Sequence, residues 1–500
     1  MKTIFLLLDS LNRNAIEPYG SKVIKTPNFN RFAEKSIIFE NHYVGSLPCM
    51  PARRDLHTGR THFLHRSWGP LEPFDDSFPE IMKNNNVYSH IITDHHHYFA
   101  DGGGTYHQRY SSWELIRGQA IDKWKGEVSP DLESLKQKFH PMQHHRKNYI
   151  INRNYMVDEQ DFCTPRLYNL AKKFIKKNYN KNDWFLQLEC FDPHEPFHAP
   201  ERFRKNYNTN YKGPILDWPI YERVKESEEE IAELRANYCA LVSMCDEYFG
   251  KILDLFDENN LWEDTCLILT TDHGFLLGEH DWWAKNRMPV YNEIAKIPLI
   301  IYHPDFSEYA GTRRKALTQS IDIMPTLLDF HNLNIPNDVI GKSLIPLLNK
   351  ETNLRESLIY GYFGAAINVT DGKYTYLHYP KKLNSENLFE YTLMPTRMTS
   401  RFSIKELLNA TLDNPFNFTK GVPVMKLSPK TSEGDEVLEV QGMKFEDTDS
   451  RLFDLKNDPN QLKPIKNQKI ENDFKNEIVK LMKKVDAPLE AYKRFGLEEL

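Results

Sequence analysis

The chain reads as an α/β protein: a large, mostly parallel sheet flanked by helices, followed by a smaller α+β unit. Three observations predict this. Short apolar runs of strand length alternate with amphipathic segments through the first two thirds of the sequence. Four of those runs, at 4–8, 87–93, 184–191 and 266–271, end on Asp9, Asp94, Asp192 and Asp272, and histidine follows closely after three of them. In open α/β sheets the region beyond the carboxyl ends of the strands is where ligands bind, so four polar endings suggest one polyvalent site. Finally, the texture changes near residue 350 to short strands and turn residues, dividing the chain into 1–350 and 351–500.

Taken in order, 4–8 is a buried strand. Met1-Lys2-Thr3 ahead of it resembles the start of a signal peptide, but the apolar run is too short and no small-residue cleavage site follows. Residues 26–36 carry a Thr cap, Pro27 in the first turn, and Phe29 and Phe32 on one face, which predicts a helix. Across 237–256, Leu241, Met244, Cys245, Tyr248, Ile252 and Leu255 form a continuous apolar stripe, so Met244 belongs to the core. Shorter apolar elements follow at 323–328 and 344–348. Beyond 350, segments 356–362, 368–377 and 451–455 read as strands, with the turn Asp371-Gly372-Lys373 inside the second. A Lys-rich helix is expected over 470–485, and 380–443 as long, partly irregular excursions.

Composition excludes several functions. A net charge of −6 leaves no basic excess to neutralise phosphates, so nucleic acid is not an expected partner. The local run Lys172-Lys173-Phe174-Ile175-Lys176-Lys177 has the spacing of a solvated helix face. No apolar stretch approaches the length that spans a membrane. Six cysteines lack paired or metal-finger spacing, and Cys190, Cys239, Cys245 and Cys266 sit among apolar neighbours like buried free thiols. A reducing, cytoplasmic location is the expectation.

The most informative segment is Cys49-Met50-Pro51-Ala52-Arg53, continued to Thr58-Gly59-Arg60. Pro51 suits the first turn of a helix, and a helix start offers free N–H groups and a positive dipole end to an anion. Arg53 adds a permanent charge able to fork onto sulfate or phosphate oxygens. This pattern resembles the signature of the sulfatase family. Further matches follow in order: Thr26-Pro27-Asn28-Phe29, Asp192-Pro193-His194-Glu195-Pro196-Phe197, Thr271-Asp272-His273-Gly274, Leu277-Gly278-Glu279-His280 with Trp283-Ala284-Lys285, Asp322-Ile323-Met324-Pro325-Thr326, and Leu452-Phe453-Asp454-Leu455.

The resemblance implies an alkaline-phosphatase-like fold and hydrolysis of a sulfate ester, small or saccharide. It implies that a maturation enzyme converts Cys49 to formylglycine. It further implies a divalent metal held by Asp9, Cys49, Asp272 and His273. Such a donor set suits Ca²⁺ first, with Mn²⁺ or Mg²⁺ as alternatives. His194 is implied as general acid with Lys285 assisting, and Arg53 and Lys285 as the groups that stabilise charge on the transferred group. Two departures stand out. Many sulfatases have two adjacent aspartates after the first strand, whereas here Ser10 takes the second place, as in the branch of choline sulfatases and phosphonate monoester hydrolases. Where many have Lys and His after the strand at 87–93, this chain has His95 and His97, and an imidazole at 95 can exchange a proton near pH 7. A phosphonate monoester or phosphodiester hydrolase is therefore the alternative activity. Trp68, Tyr98, Tyr106, His107, Arg109, Trp282 and Trp283 are candidates to line a substrate subsite.

Overall fold

Seven consecutive residues, Lys2–Leu8 (β1), are all buried, which a strand achieves only when both faces of its sheet are covered. The computed structural model describes residues 1–132, 146–429, 439–440 and 443–498 and shows what covers them. The strands that join β1 are Ile37–Tyr43 (β2), Tyr88–Thr93 (β3), Ser112–Leu115 (β4), Trp184–Cys190 (β5), Thr265–Thr270 (β6), Leu299–Tyr302 (β7) and Arg313–Gln319 (β8). They form one eight-stranded sheet in the order β8-β2-β7-β6-β1-β5-β3-β4. Only β7 runs antiparallel to its neighbours, so the sheet is mixed but mostly parallel.

Alternation along β1 divides the cover between two layers. Ile4, Leu6 and Leu8 pack with the helices Pro27–Glu34 (α1), Cys163–Asn178 (α3) and Glu228–Glu258 (α4). Phe5 and Leu7 face the opposite layer, which holds Met50 and Leu56 of Cys49–Thr58 (α2) and Ile323, Leu327 and Leu328 of Ile323–Phe330 (α5). The lysines of the 172–177 run are solvent-exposed while Ala171 and Ile175 of α3 are buried. Met244 lies in the core.

A second sheet is built from Leu358–Tyr362 (β9), Ile367–Thr370 (β10), Tyr374–His378 (β11) and Arg451–Asp454 (β12), and Gln468–Lys484 (α6) packs on one of its faces. Its fifth strand is Ser46–Leu47, which pairs in parallel with Gly361 and Tyr362 of β9. This two-residue strand leads directly into α2. A clasp reinforces it: Asp55 of α2 accepts from both the backbone N–H (2.5 Å) and the hydroxyl (2.8 Å) of Ser46. The Ser46 hydroxyl in turn accepts from the N–H groups of His62 and Phe63. Gly59 ends α2 in the left-handed region (φ 65°), returning its N–H to the Asp55 carbonyl.

Several expectations need correction. Strands β2, β4, β7 and β8 were not anticipated: β2 carries Glu40-Asn41-His42 and β8 carries Arg313-Arg314-Lys315, so their apolar runs are broken. Helix α4 starts at Glu228, not 237, behind a capping box of Ser227 and Glu230; its first turns are largely exposed, so the apolar stripe begins later than the helix. The stretch 380–443 is partly irregular as expected, its regular parts including a three-stranded sheet (Glu390–Thr392, Val424–Leu427, Thr411–Asp413) and the short helix Ile404–Leu408, while 430–438 and 441–442 lie outside the described residues. No helix among the described residues is long and apolar enough to cross a membrane.

Because the Asp55 clasp is buried, replacing it strands two donors of Ser46 without a partner. Asp55→Ala is expected to lower the unfolding free energy by about 3 kcal/mol, measured by urea denaturation.

Candidate active site

The four strands whose endings drew attention in the sequence are immediate neighbours, in the order β6-β1-β5-β3, all parallel. Asp272 and His273 follow β6, Asp9 follows β1, and His95 and His97 follow β3. Helix α2 approaches the same edge with Cys49 in its first turn. The result is a buried cluster in which Asp9, Cys49, Asp272 and His273 each offer a ligand atom, all within 4.8 Å of one another.

Local chain geometry explains the convergence. Ser10 adopts φ 60°, turning the chain sharply after β1, and its N–H donates to Asp272 Oδ1 (3.1 Å). Gly274 allows His273 to sit where it does, because a Cβ there would lie 1.8 Å from the Glu293 carbonyl oxygen. His273 Nδ1 is 3.0 Å from the Gly274 carbonyl oxygen, so this nitrogen carries the proton and the Nε2 lone pair faces Cys49 Sγ at 3.3 Å. Lys285 is flanked by Ala284 (φ 73°) and Asn286 (φ 93°), two non-glycine residues in the left-handed region. Such strain persists where the surroundings hold it, commonly at functional positions.

Arg53 lies at the centre, 1% exposed. Its Nε donates to Glu189 Oε1 (2.7 Å), its Nη1 to Asp272 Oδ2 (2.6 Å) and the Cys49 carbonyl (3.1 Å), and its Nη2 to Asp9 Oδ2 (2.8 Å). The expectation that this fork grips the substrate anion is therefore corrected: each nitrogen already serves a protein oxygen. Lys285 Nζ donates to Ser10 Oγ (2.8 Å), which donates to Asp9 Oδ1 (2.8 Å). The hydroxyl standing in place of a second aspartate thus links the lysine to the metal-ligand candidate.

Electrostatics follow from burial and these contacts. Burial works to raise the Asp9 carboxyl, but Arg53, with His194, Lys285 and His273, outweighs it and holds Asp9 well below the usual range. Burial pushes the Cys49 thiol well above its ordinary value, so it is protonated and a poor nucleophile as a thiol. Burial disfavours the charge on Lys285, yet Glu195 leads a set of acidic neighbours that keep it protonated. Burial, then Lys285, lowers His194 well below its ordinary value. His95 is driven well below its ordinary value by burial, then by Arg53 and His97, so it is neutral across physiological pH instead of exchanging a proton near 7.

The donor set fits a hard divalent cation. Among the described residues, Asp9, Asp272 and Glu189 face two firm cations, Arg53 directly and Lys285 through Ser10, leaving negative charge unbalanced in a buried space. Two carboxylates and an imidazole suit such an ion; the neutral sulfur of Cys49 does so poorly, and an oxygen at that position completes the set.

Two residues that the sequence reading did not select belong here. Glu189 could have been found as the polar residue two positions after Gln187 in an otherwise apolar strand, placing both on one face. Glu195 lies 3.7 Å from Lys285 Nζ and 3.3 Å from His194 Nδ1, and accepts from the Tyr221 hydroxyl. Burial pushes its carboxyl up to about 7, against the pull of Lys285. The only sequence signal for Glu195 is its place between Pro193-His194 and Pro196. Most candidate subsite aromatics are corrected to core: Tyr98, Tyr106, Trp282 and Trp283 are fully buried, His107 stacks on Phe99, and Arg109 pairs with Glu80. Trp68 lies edge-on to His97, and the buried Tyr98 lies edge-on to His95 and donates its hydroxyl to Glu189 (2.8 Å), so it supports the site from within the core. A cavity of about 720 Å³ lies elsewhere, lined by Asn12, Arg13, Arg235, Glu293 and Lys296 among others, and includes none of the candidate residues.

Substituting Arg53 with Met leaves three buried carboxylates without their shared cation. It is expected to lower stability by about 3–5 kcal/mol, read as a fall in the thermal or urea midpoint.

Comparison with known proteins agrees with this geometry. Residues 2–333 match the sulfatase family, and residues 278–412 match the C-terminal region of N-sulphoglucosamine sulphohydrolase. An N-acetylglucosamine-6-O-sulfatase of Bacteroides thetaiotaomicron is 24% identical over 426 residues, covering 72% of this chain and 74% of its own. The phosphonate monoester hydrolase of Agrobacterium radiobacter has the same fold, with a TM-score of 0.65 at 16% identity over 97% of this chain and 96% of that one. So does a protein solved in complex with its substrate D-glucosamine-2-N,6-O-disulfate, at a TM-score of 0.64 and 16% identity, covering 99% and 98%. With two thirds of its length matched and the signature cysteine at the convergence of the strand ends, the chain belongs to the sulfatase family.

Proposed function

We propose that this protein hydrolyses a sulfate ester carried by a carbohydrate, using formylglycine made from Cys49 beside a divalent ion, with Ca²⁺ the first choice. Sulfatases generally use a metal and formylglycine. The observation that carries the reading is the gathering of Asp9, Cys49, Asp272 and His273, with Lys285 and His194 alongside. A 6-O-sulfatase acting on N-acetylglucosamine among the relatives supports the choice of a sugar sulfate.

A bound divalent ion supplies positive charge that acidifies a hydroxyl and screens the sulfo oxygens. An aldehyde hydrate at position 49 would supply one hydroxyl for attack on sulfur and a second whose loss of a proton would let sulfate leave and restore the carbonyl. Around that centre the chain's own residues have separable tasks. His194 delivers a proton to the departing alcohol oxygen, which requires its imidazolium form. Ionised Glu195 beside Nδ1 favours that form, and Lys285 places charge next to the transferred group. Arg53 acts through the carboxylates it positions. His95 and His97, both neutral, line the side of the site where His194 and His97 are partly exposed.

A second reading, hydrolysis of phosphonate monoesters or phosphodiesters by the same nucleophile, is favoured by Ser10, which leaves the site one carboxylate poorer. Parallel kinetics on nitrophenyl sulfate and phenyl phosphonate esters decide between them: kcat/KM is expected to favour the sulfate, and a larger value on the phosphonate reverses the ranking. Mass spectrometry of the tryptic peptide 36–53 is expected to show position 49 with one sulfur and two hydrogens lost and one oxygen gained. Cys49→Ala is expected to abolish turnover. Because the His194 imidazolium is lost as pH rises and the ionised Glu195 carboxylate works to retain it, kcat is expected to fall with rising pH, and Glu195→Gln to move that fall to lower pH; an unchanged profile in the variant would count against this role.

A further inference from the structure

His95, His96 and His97 follow one another after β3, and one ring nitrogen from each lies within 4.8 Å of the other two. His95 is fully buried, while His96 and His97 are partly exposed residues. Even so, both ring nitrogens of His95, both of His96 and Nδ1 of His97 are shielded from solvent and make no hydrogen bond to the protein. Leaving buried polar atoms without partners costs about 1–3 kcal/mol each, so five such nitrogens in one pocket need an explanation. The rings are held by Phe191 against His95 and His96 and by Trp68 against His97. These apolar walls fix the imidazoles and offer their nitrogens nothing to bond.

We propose that His95, His96 and His97 form a second cation site, separate from the Asp9–Cys49–Asp272–His273 set and selective for a borderline transition metal such as Zn²⁺ or Co²⁺ over Ca²⁺. The donor chemistry dictates the selectivity: three imidazoles and no carboxylate suit Zn²⁺, Co²⁺ or Ni²⁺, whereas Ca²⁺ needs six to eight oxygens. Tetrahedral Zn²⁺ with bonds of 2.0–2.1 Å places its ligand nitrogens roughly 3.4 Å apart, so modest side-chain rotation from the separations seen closes the set. Three protein ligands leave one coordination position open on the partly exposed side. The set shares His95 and His97 with the site proposed above, but its test reads metal binding alone, so it stands or falls apart from the sulfatase reading.

The test uses the full chain without an affinity tag, stripped by a chelator and resaturated with Ca²⁺ to occupy the oxygen-rich set. Calorimetric titration with Zn²⁺ is expected to show a further ion bound. His96→Gln and His96→Ala are each expected to weaken that binding on the order of 100-fold, since even losing an outer-shell partner costs 10–100-fold. Crystals of the unsubstituted protein soaked in Co²⁺ are expected to give an anomalous difference peak between the three rings, which needs no variant to fold. Absence of that peak, or Zn²⁺ affinity unchanged in both variants, overturns the site.

Discussion

One guanidinium, buried beneath the sheet edge, draws oxygens from three adjacent strands to itself. Glu189 lies in β5, Asp9 follows β1 and Asp272 follows β6, and Arg53 reaches all of them from α2, one turn below Cys49. Three carboxylates gathered in a space closed to water repel one another, and without a central cation burial would drive them to take up protons. With it, Asp9 stays ionised. The same side chain also ties the position-49 carbonyl to the carboxylates, so the signature residue and the candidate ligands are placed relative to one atom group. The rest of the site is arranged around this point: Ser10 turns the chain, Lys285 reaches Asp9 through the Ser10 hydroxyl, and Glu195 neutralises the far side of Lys285.

How much of this was legible in the sequence depends on whether a signal is local. Strand endings are local: an apolar run stopped by Asp is visible without knowing where the strand sits, and all four such runs proved to be neighbours. The helix of Cys49 was legible from its proline, while its stop at Gly59 emerged from the structure. Strands with polar interruptions were not, because β2 and β8 owe their place to pairing partners hundreds of residues away rather than to their own pattern. Among site residues, those in motifs were found, whereas Glu189 and Glu195 were passed over: a single carboxylate in a strand or between prolines acquires meaning only from the Arg53 or Lys285 beside it. The role given to Arg53 was incomplete for the same reason, since its spacing from Cys49 is readable but the number of carboxylates around it is not.

Substituting Ser10 for a second aspartate alters more than the charge count. A carboxylate at that position would meet Lys285 as a counter-ion; the hydroxyl instead accepts from the ammonium and donates onward to Asp9, so the lysine's charge remains available to an incoming anion. Glu195 supplies the balancing carboxylate from a different element, and its ionisation near neutrality makes that balance sensitive to pH.

The two-residue strand Ser46–Leu47 has a temporal implication. It joins the segment entering the Cys49 helix to a sheet whose other members are residues 358–454, so the immediate surroundings of Cys49 are completed only by chain synthesised some three hundred residues later. Once that pairing is made, Cys49 is 3% exposed and its whole helix is enclosed. A catalyst acting on this cysteine as proposed would find it accessible only before the second sheet closes. If position 49 is converted as proposed, translation speed and chaperone retention would then help set how many molecules carry the aldehyde.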